Sequence, residues 1–184
     1  TTHGANSFGM RVDTRSTGTN SGSIVTNGEG AYGIWAGFDS TARNDAAGTI
    51  VTSGDKAHGM VATNVASADN DGSITTNGAG AYGMMALSNA FAANGGTIVT
   101  NGTGSHGMVA SDDSTALNRK EGLINTKGNQ AYGMLATGAG SEATNRGTIL
   151  VEGSNAAGMV ALAGASALNG VSGDIHTTGD YSPG

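Results

Sequence analysis

Cysteine is absent from this 184-residue chain, proline occurs once, aromatic residues make up 4% and charged residues 12%. Without cysteine there is no disulfide framework and no thiolate metal site, although the compartment stays open. A single proline excludes a proline-rich linker, and glycine without a third-position period excludes collagen. Few aromatics argue against a thick globular core, and few charges argue against an electrostatically dispersed disordered chain. Eight basic residues stand against 14 acidic ones, for a formal charge of −6. That balance removes the cationic footprint that phosphate-backbone binding needs, so nucleic acid is not an expected partner. No apolar run approaches the roughly 18 residues of a membrane span, so direct membrane insertion by this segment is not expected.

What the chain has instead is 33 glycines and a repeat. Gly-x-Ile recurs seven times, with its isoleucines at Ile24, Ile50, Ile74, Ile98, Ile124, Ile149 and Ile175. By subtraction these are 26, 24, 24, 26, 25 and 26 residues apart. Eleven residues after each glycine that another copy follows comes a phrase close to Ala-Tyr-Gly-Met-x-Ala, as at Ala81-Tyr82-Gly83-Met84. A third landmark is an asparagine, at Asn20, Asn44, Asn70, Asn94, Asn118, Asn145 and Asn169. Length changes fall at fixed joints, such as Asn44–Gly48, Asn118–Gly122 and Asn169–Gly173, and between Ala136 and Asn145. A solenoid tolerates insertions in this way, because its strands must stay in register while its corners need not.

Each unit holds three short extended candidates: Gly-Thr-Ile-Val-Thr, Gly-Met-Val-Ala and Ser-Thr-Ala-Leu. The apolar spacing is 2 rather than 3.6, and no stretch is long enough for an amphipathic helix. The expected fold is therefore all-β: a parallel β-helix of about seven coils, three short strands per coil and about 24–26 residues per coil, built over residues 1–184 as one solenoid segment without separate domains. Alternation points the isoleucines inward, together with the methionines Met10, Met60, Met84, Met108, Met134 and Met159 and the alanines two residues beyond them. Between Met and Ala lies an outward ladder of Arg11, Trp35, Val61, Met85, Val109, Leu135 and Val160. A contiguous exposed apolar row on a polar coil marks an interface, so Trp35, Val61, Met85, Val109, Leu135 and Val160 are the candidate interaction surface. The asparagines read as corner residues whose stacked amides satisfy one another along the rod.

The phrase that runs from Asn70-Asp71-Gly72-Ser73-Ile74 to Ala81-Tyr82-Gly83-Met84, repeated through essentially the whole chain, resembles the passenger repeats of bacterial autotransporter adhesins. The resemblance implies a right-handed parallel β-helix that is exported through an outer-membrane barrel and displayed at the cell surface, often as an adhesin. It also implies that the segment is a fragment of a longer passenger, since it carries neither barrel nor leader. Such a shape carries many functions, so the ligand is not implied.

Chemistry is sparse. Tyr32, His58, Tyr82, His106 and Tyr132 share one column and form a candidate aromatic platform for sugar or protein. The two histidines lie two coils apart with Tyr82 between them, too far for one metal ion. No nucleophile elbow or phosphate loop occurs. Asp69 with Asp71, and Asp112 with Asp113, are weak calcium candidates that do not build a repeated Asp ladder. The expectation is thus no catalytic residue, no metal and no cofactor, and an adhesive rod outside the cell that binds a host or bacterial surface protein or glycan. A self-assembling trimeric or fibrous module is the alternative. Ice binding through outward Thr/Ser-x-Val rows is a minor one, broken at Leu123/Asn125 and Asp174/His176.

Overall fold

The computed structural model describes residues 1–184. Its 21 strands fall into three seven-stranded parallel sheets, with no helix. The Met sheet holds Met10–Val12, Ile34–Gly37, Met60–Thr63, Met84–Leu87, Met108–Ser111, Tyr132–Thr137 and Ala157–Leu162. The Asn sheet holds Thr17–Asn20, Thr41–Asn44, Ser67–Asn70, Phe91–Asn94, Thr115–Asn118, Glu142–Asn145 and Ser166–Asn169. The Ile sheet holds Ser23–Thr26, Thr49–Thr52, Ser73–Thr76, Thr97–Thr100, Leu123–Thr126, Thr148–Val151 and Asp174–Thr177. Successive strands of the chain take turns among the sheets, so each circuit is one coil of a β-solenoid and there are seven.

The register follows the repeat. Ile98 pairs with Ile74 and Ile124, Met84 with Met60 and Met108, and Asn94 with Asn70 and Asn118. Like residues therefore stack at the strand spacing of about 4.8 Å. Their columns make the core: Ile50, Ile74, Ile98, Ile124 and Ile149 from one sheet, Met60, Met84, Met108 and Met134 from another, and small Ala42, Ala68, Ala92, Ala116 and Ala143 from the third, all buried. Pairing large side chains against alanine lets three walls close on a narrow interior.

Three further columns close the corners. Glycine stands immediately before the methionine, or Ile34, of each Met-sheet strand because a Cβ would not fit there: at Gly83 it would press on Ile98 Cγ2 and on the Gly107 carbonyl oxygen. Thr26, Thr52, Thr76 and Thr100 are buried, and each hydroxyl donates across the next corner to the carbonyl oxygen of residue 31, 57, 81 or 105 at 2.5–2.7 Å. At the end of the Asn sheet every asparagine Nδ2 donates to the next coil's Oδ1, from Asn20 to Asn169, at 2.7–2.9 Å. The expected amide ladder is therefore continuous. Each Nδ2 also reaches a carbonyl oxygen in its own turn, Asn94 to Gly96 at 3.2 Å for example. The extra residues lie where the repeat lengths place them, in the turns at Asp45–Ala47 and Gly138–Gly140.

Candidate functional site

The Met sheet presents its outward residues as two columns. One carries Arg11, Trp35, Val61, Met85, Val109, Leu135 and Val160, in register from strand to strand. The alternation of buried and less buried positions along these strands confirms that they face away from the core. The row is not uniformly exposed, and here the sequence expectation needs correction. Val61 and Val109 are only 3% accessible, while Trp35, Met85, Leu135 and Val160 are half-buried. The reason is size: each valine sits between two longer in-register neighbours, Trp35 and Met85 around Val61, Met85 and Leu135 around Val109. At about 4.8 Å spacing the longer side chains overhang the shorter ones. The stripe is a set of separated apolar steps.

Trp35 differs from the other residues in the column. Its benzo ring lies over Gly37, where a Cβ would collide with the ring. Arg11 places its guanidinium carbon 5.0 Å from the indole centroid. Phe8 and Phe38 flank it at centroid distances of 6.0 and 6.3 Å.

Beside the stripe, the ring column is assembled as a stack. Centroids are separated by 5.1 Å for Tyr32–His58, 4.7 Å for His58–Tyr82, 5.0 Å for Tyr82–His106 and 4.7 Å for His106–Tyr132, with interplanar angles from 25° down to 2°. The five rings form one stacked ladder. Ring faces are covered by the next ring, so the column presents edges and polar tips, and no flat face is left for a sugar between Tyr32 and Tyr132. Both histidines are 8% accessible. Nδ1 of His58 accepts the Tyr82 backbone N–H, and Nδ1 of His106 accepts that of Tyr132, each at 2.9 Å. The accepting role fixes the neutral Nε2–H tautomer. Burial pushes both histidines down to about 4.

No other ionisable side chain is buried. The acidic pairs considered for calcium are differently placed. Asp69 and Asp71 are taken by guanidinium groups: Arg43 bonds Asp71, and Arg119 reaches across a whole coil to Asp69 and Asp71. Asp112 and Asp113 sit in a turn, and no cluster of three His, Asp or Glu side chains comes within reach of a common ion.

That turn belongs to a feature the repeat phrases conceal. After each of the first five Met-sheet strands the chain turns through two consecutive non-glycine residues in the left-handed region: Thr14-Arg15, Phe38-Asp39, Asn64-Val65, Ser88-Asn89 and Asp112-Asp113, with φ between 49° and 66°. Residue type varies at these positions, so no recurring letter marks them. Short polar residues tolerate this conformation, whereas for bulky or β-branched ones it is an outlier. Phe38 and Val65 are nonetheless there, 54% and 63% accessible. Together with Thr14, Arg15, Asp39 and Asn64 they line an open groove of about 720 Å³.

Compared with known proteins, residues 26–173, 148 of the 184, match the family model described as the BigA third pectate lyase-like domain. No curated protein and no solved structure matches the chain.

Proposed function

Because the chain belongs to the family of the BigA third pectate lyase-like domain, a bacterial surface-protein domain, we propose that it is a structural and adhesive rod of a secreted autotransporter passenger, held outside the outer membrane and attaching the cell to host cells, matrix or like bacteria. The observation that carries this reading is the division of labour in the repeat. The inward Ile, Met, Ala and Asn columns are nearly uniform and close the coil, while the positions that vary most between coils face out, as a display scaffold requires.

The rod acts without catalysis. Pectate lyase-like folds include enzymes, so the proposal rests on this chain's own side chains. Its two buried ionisable groups, His58 and His106, spend Nδ1 on backbone amides between stacked tyrosines. The acids Asp69 and Asp71 are engaged by arginine. A general acid–base pair needs groups that are free to exchange protons with a substrate, and these are occupied.

The test is deletion of these coils from the full-length surface protein with surface display checked by antibody. Attachment to epithelial cells, matrix or like bacteria falls if the reading holds, and unchanged attachment on all three rejects it. The stripe also supports a second reading, self-association. Seven strands span about 29 Å and the two outward columns about 10 Å, on the order of 300 Å², against about 800 Å² per partner in a stable complex. A lateral dimer through this stripe alone is thus weak, and light scattering of the purified chain should give 17.9 kDa at micromolar concentration.

A further inference from the structure

The seven coils serve as one another's controls. Whatever the solenoid needs recurs in the repeat, and a departure at an outward position serves something else. The strongest departures converge on the second and third coils. Trp35 stands where other coils have aliphatic residues or Arg11, and Gly37 where they have Asp13, Thr63, Leu87, Ser111, Thr137 and Leu162. At the left-handed turn, Phe38 stands where the other copies have Thr14, Asn64, Ser88 and Asp112, and Val65, φ 66°, is the apolar β-branched residue where they have Arg15, Asp39, Asn89 and Asp113. These four positions are contiguous: the Trp35 ring covers Gly37, Phe38 is 6.3 Å from Trp35, and Phe38 and Val65 line the same groove. Strained, exposed apolar residues destabilise the coil, so their presence points to a contact they make with something outside it.

The lining chemistry selects the occupant. The apolar surface that Phe38 and Val65 expose is on the order of 200 Å², well below the roughly 800 Å² that a stable protein partner covers. The groove, about 720 Å³, is wide open, so a small ligand would lie against it by one face and keep its other face in solvent. Around the Phe38 ring stand a guanidinium, a carboxylate, an amide and a hydroxyl, from Arg15, Asp39, Asn64 and Thr14. Arg15 and Asp39 meet only loosely, at 3.7 Å. Donors and acceptors are thus both on offer, and the two charges cancel. A phosphate or carboxylate ligand would face Asp39, and a cation would face Arg15. A neutral molecule with an apolar C–H face and a rim of hydroxyls satisfies all of these groups.

We infer that the groove around Phe38 and Val65 is a binding site for a neutral sugar unit of a surface glycan, whose C–H face packs on Phe38 while its hydroxyls bond Asp39, Asn64 and Arg15. The inference deepens the adhesive reading and rests on it for its biological setting, but its test does not.

Trp35 is the sole tryptophan and reports on the site. Its emission is followed while the purified chain is titrated with linear hexasaccharides of glucose, galactose, mannose and N-acetylglucosamine. At least one gives a saturable change, Phe38→Asn weakens it tenfold or more, Val65→Asn weakens it several-fold, and Asp113→Asn, the same turn three coils away, leaves it unaltered. Both groove variants keep or raise the melting temperature, since Asn accepts the left-handed region more readily than Phe or Val. No saturable response to any of the four sugars, or a response untouched by Phe38→Asn, overturns the site. So does a fall of several degrees in both variants, which would make the two residues part of the fold. Cell attachment that survives periodate oxidation of surface sugars yet is lost in Phe38→Asn would make the groove a protein-docking site instead. A flat titration with intact attachment rejects the sugar site alone, whereas sugar binding without attachment rejects the adhesive reading alone.

Discussion

Acidification should act on this rod through two rings. His58 and His106 are buried between tyrosines and held neutral, each lowered to about 4 from an ordinary 6.5. In the unfolded chain both regain the ordinary value, so between those limits the unfolded state binds more protons and stability rises with pH. The contribution is complete above pH 6.5, is lost as pH falls from 6.5 towards 4, and is gone below 4. A gap of that width corresponds to about 3.4 kcal/mol per ring at its limit, at 1.36 kcal/mol per tenfold. At pH 5 it comes to about 2 kcal/mol each, or about 4 kcal/mol for the pair, a large part of the ~5–15 kcal/mol that holds a typical domain. Protonation also removes the acceptor that Nδ1 offers to the Tyr82 and Tyr132 amides. The assay is urea unfolding at pH 7 and pH 5, followed by far-ultraviolet circular dichroism, for the parent and for His58→Tyr/His106→Tyr, which continues the ladder with the ring found at Tyr32, Tyr82 and Tyr132. The parent should lose about 4 kcal/mol between the two pH values and the double variant little of that. If the variant loses as much as the parent, the stack is not the source of acid sensitivity and the burial argument is wrong.

Other perturbations separate the columns. Asn94→Ala leaves the buried Oδ1 of Asn118 without a partner and Nδ2 of Asn70 with only the Gly72 carbonyl oxygen and should cost about 1–3 kcal/mol by chemical denaturation; a loss under about 0.5 kcal/mol would mean the amide ladder contributes nothing. Gly83→Ala drives a methyl group into Ile98 and the Gly107 carbonyl, whereas Gly22→Ala meets open space. The first should destabilise by several kcal/mol and the second be neutral or stabilising by about 0.5 kcal/mol, and equal effects would disprove the corner-packing argument. Ile98→Asp buries an unpaired charge in the middle coil and should divide unfolding into two transitions, so a single transition identical to the parent's would contradict the inward column. Arg119→Ala removes a partly exposed link across a coil and should cost under about 1 kcal/mol, less at high salt.

Much of the fold was legible because a solenoid writes its geometry into periodicity. Ile, Met and Asn recur at one spacing, and parallel in-register stacking is what makes equal residues neighbours, so the inward columns and the amide ladder could be read directly. The glycine before each methionine was visible as a letter but not as a reason, since its neighbour, the isoleucine of the following coil, becomes apparent only in three dimensions. The site was less legible, because it depends on differences between coils. Burial of Val61 and Val109 follows from the lengths of Trp35, Met85 and Leu135, which period-2 alternation ignores. The rings of Tyr32 to Tyr132 share a column in the sequence, yet whether they stack or splay is a matter of rotamer. The turn that holds Phe38 and Val65 has no residue in common between copies, so its left-handed backbone left no pattern to detect. A bulky apolar residue where other copies place Thr, Arg, Asn, Asp or Ser was the one available signal.

Attachment by the isolated chain tests the display reading most directly. Inert beads coated with the purified chain are counted on epithelial monolayers, on matrix and on beads carrying the same chain, with uncoated beads and excess soluble chain as controls. A rod that adheres gives saturable attachment to at least one of the three surfaces, competed away by the soluble chain. Counts equal to those of uncoated beads on all three would contradict it and leave these coils a spacer.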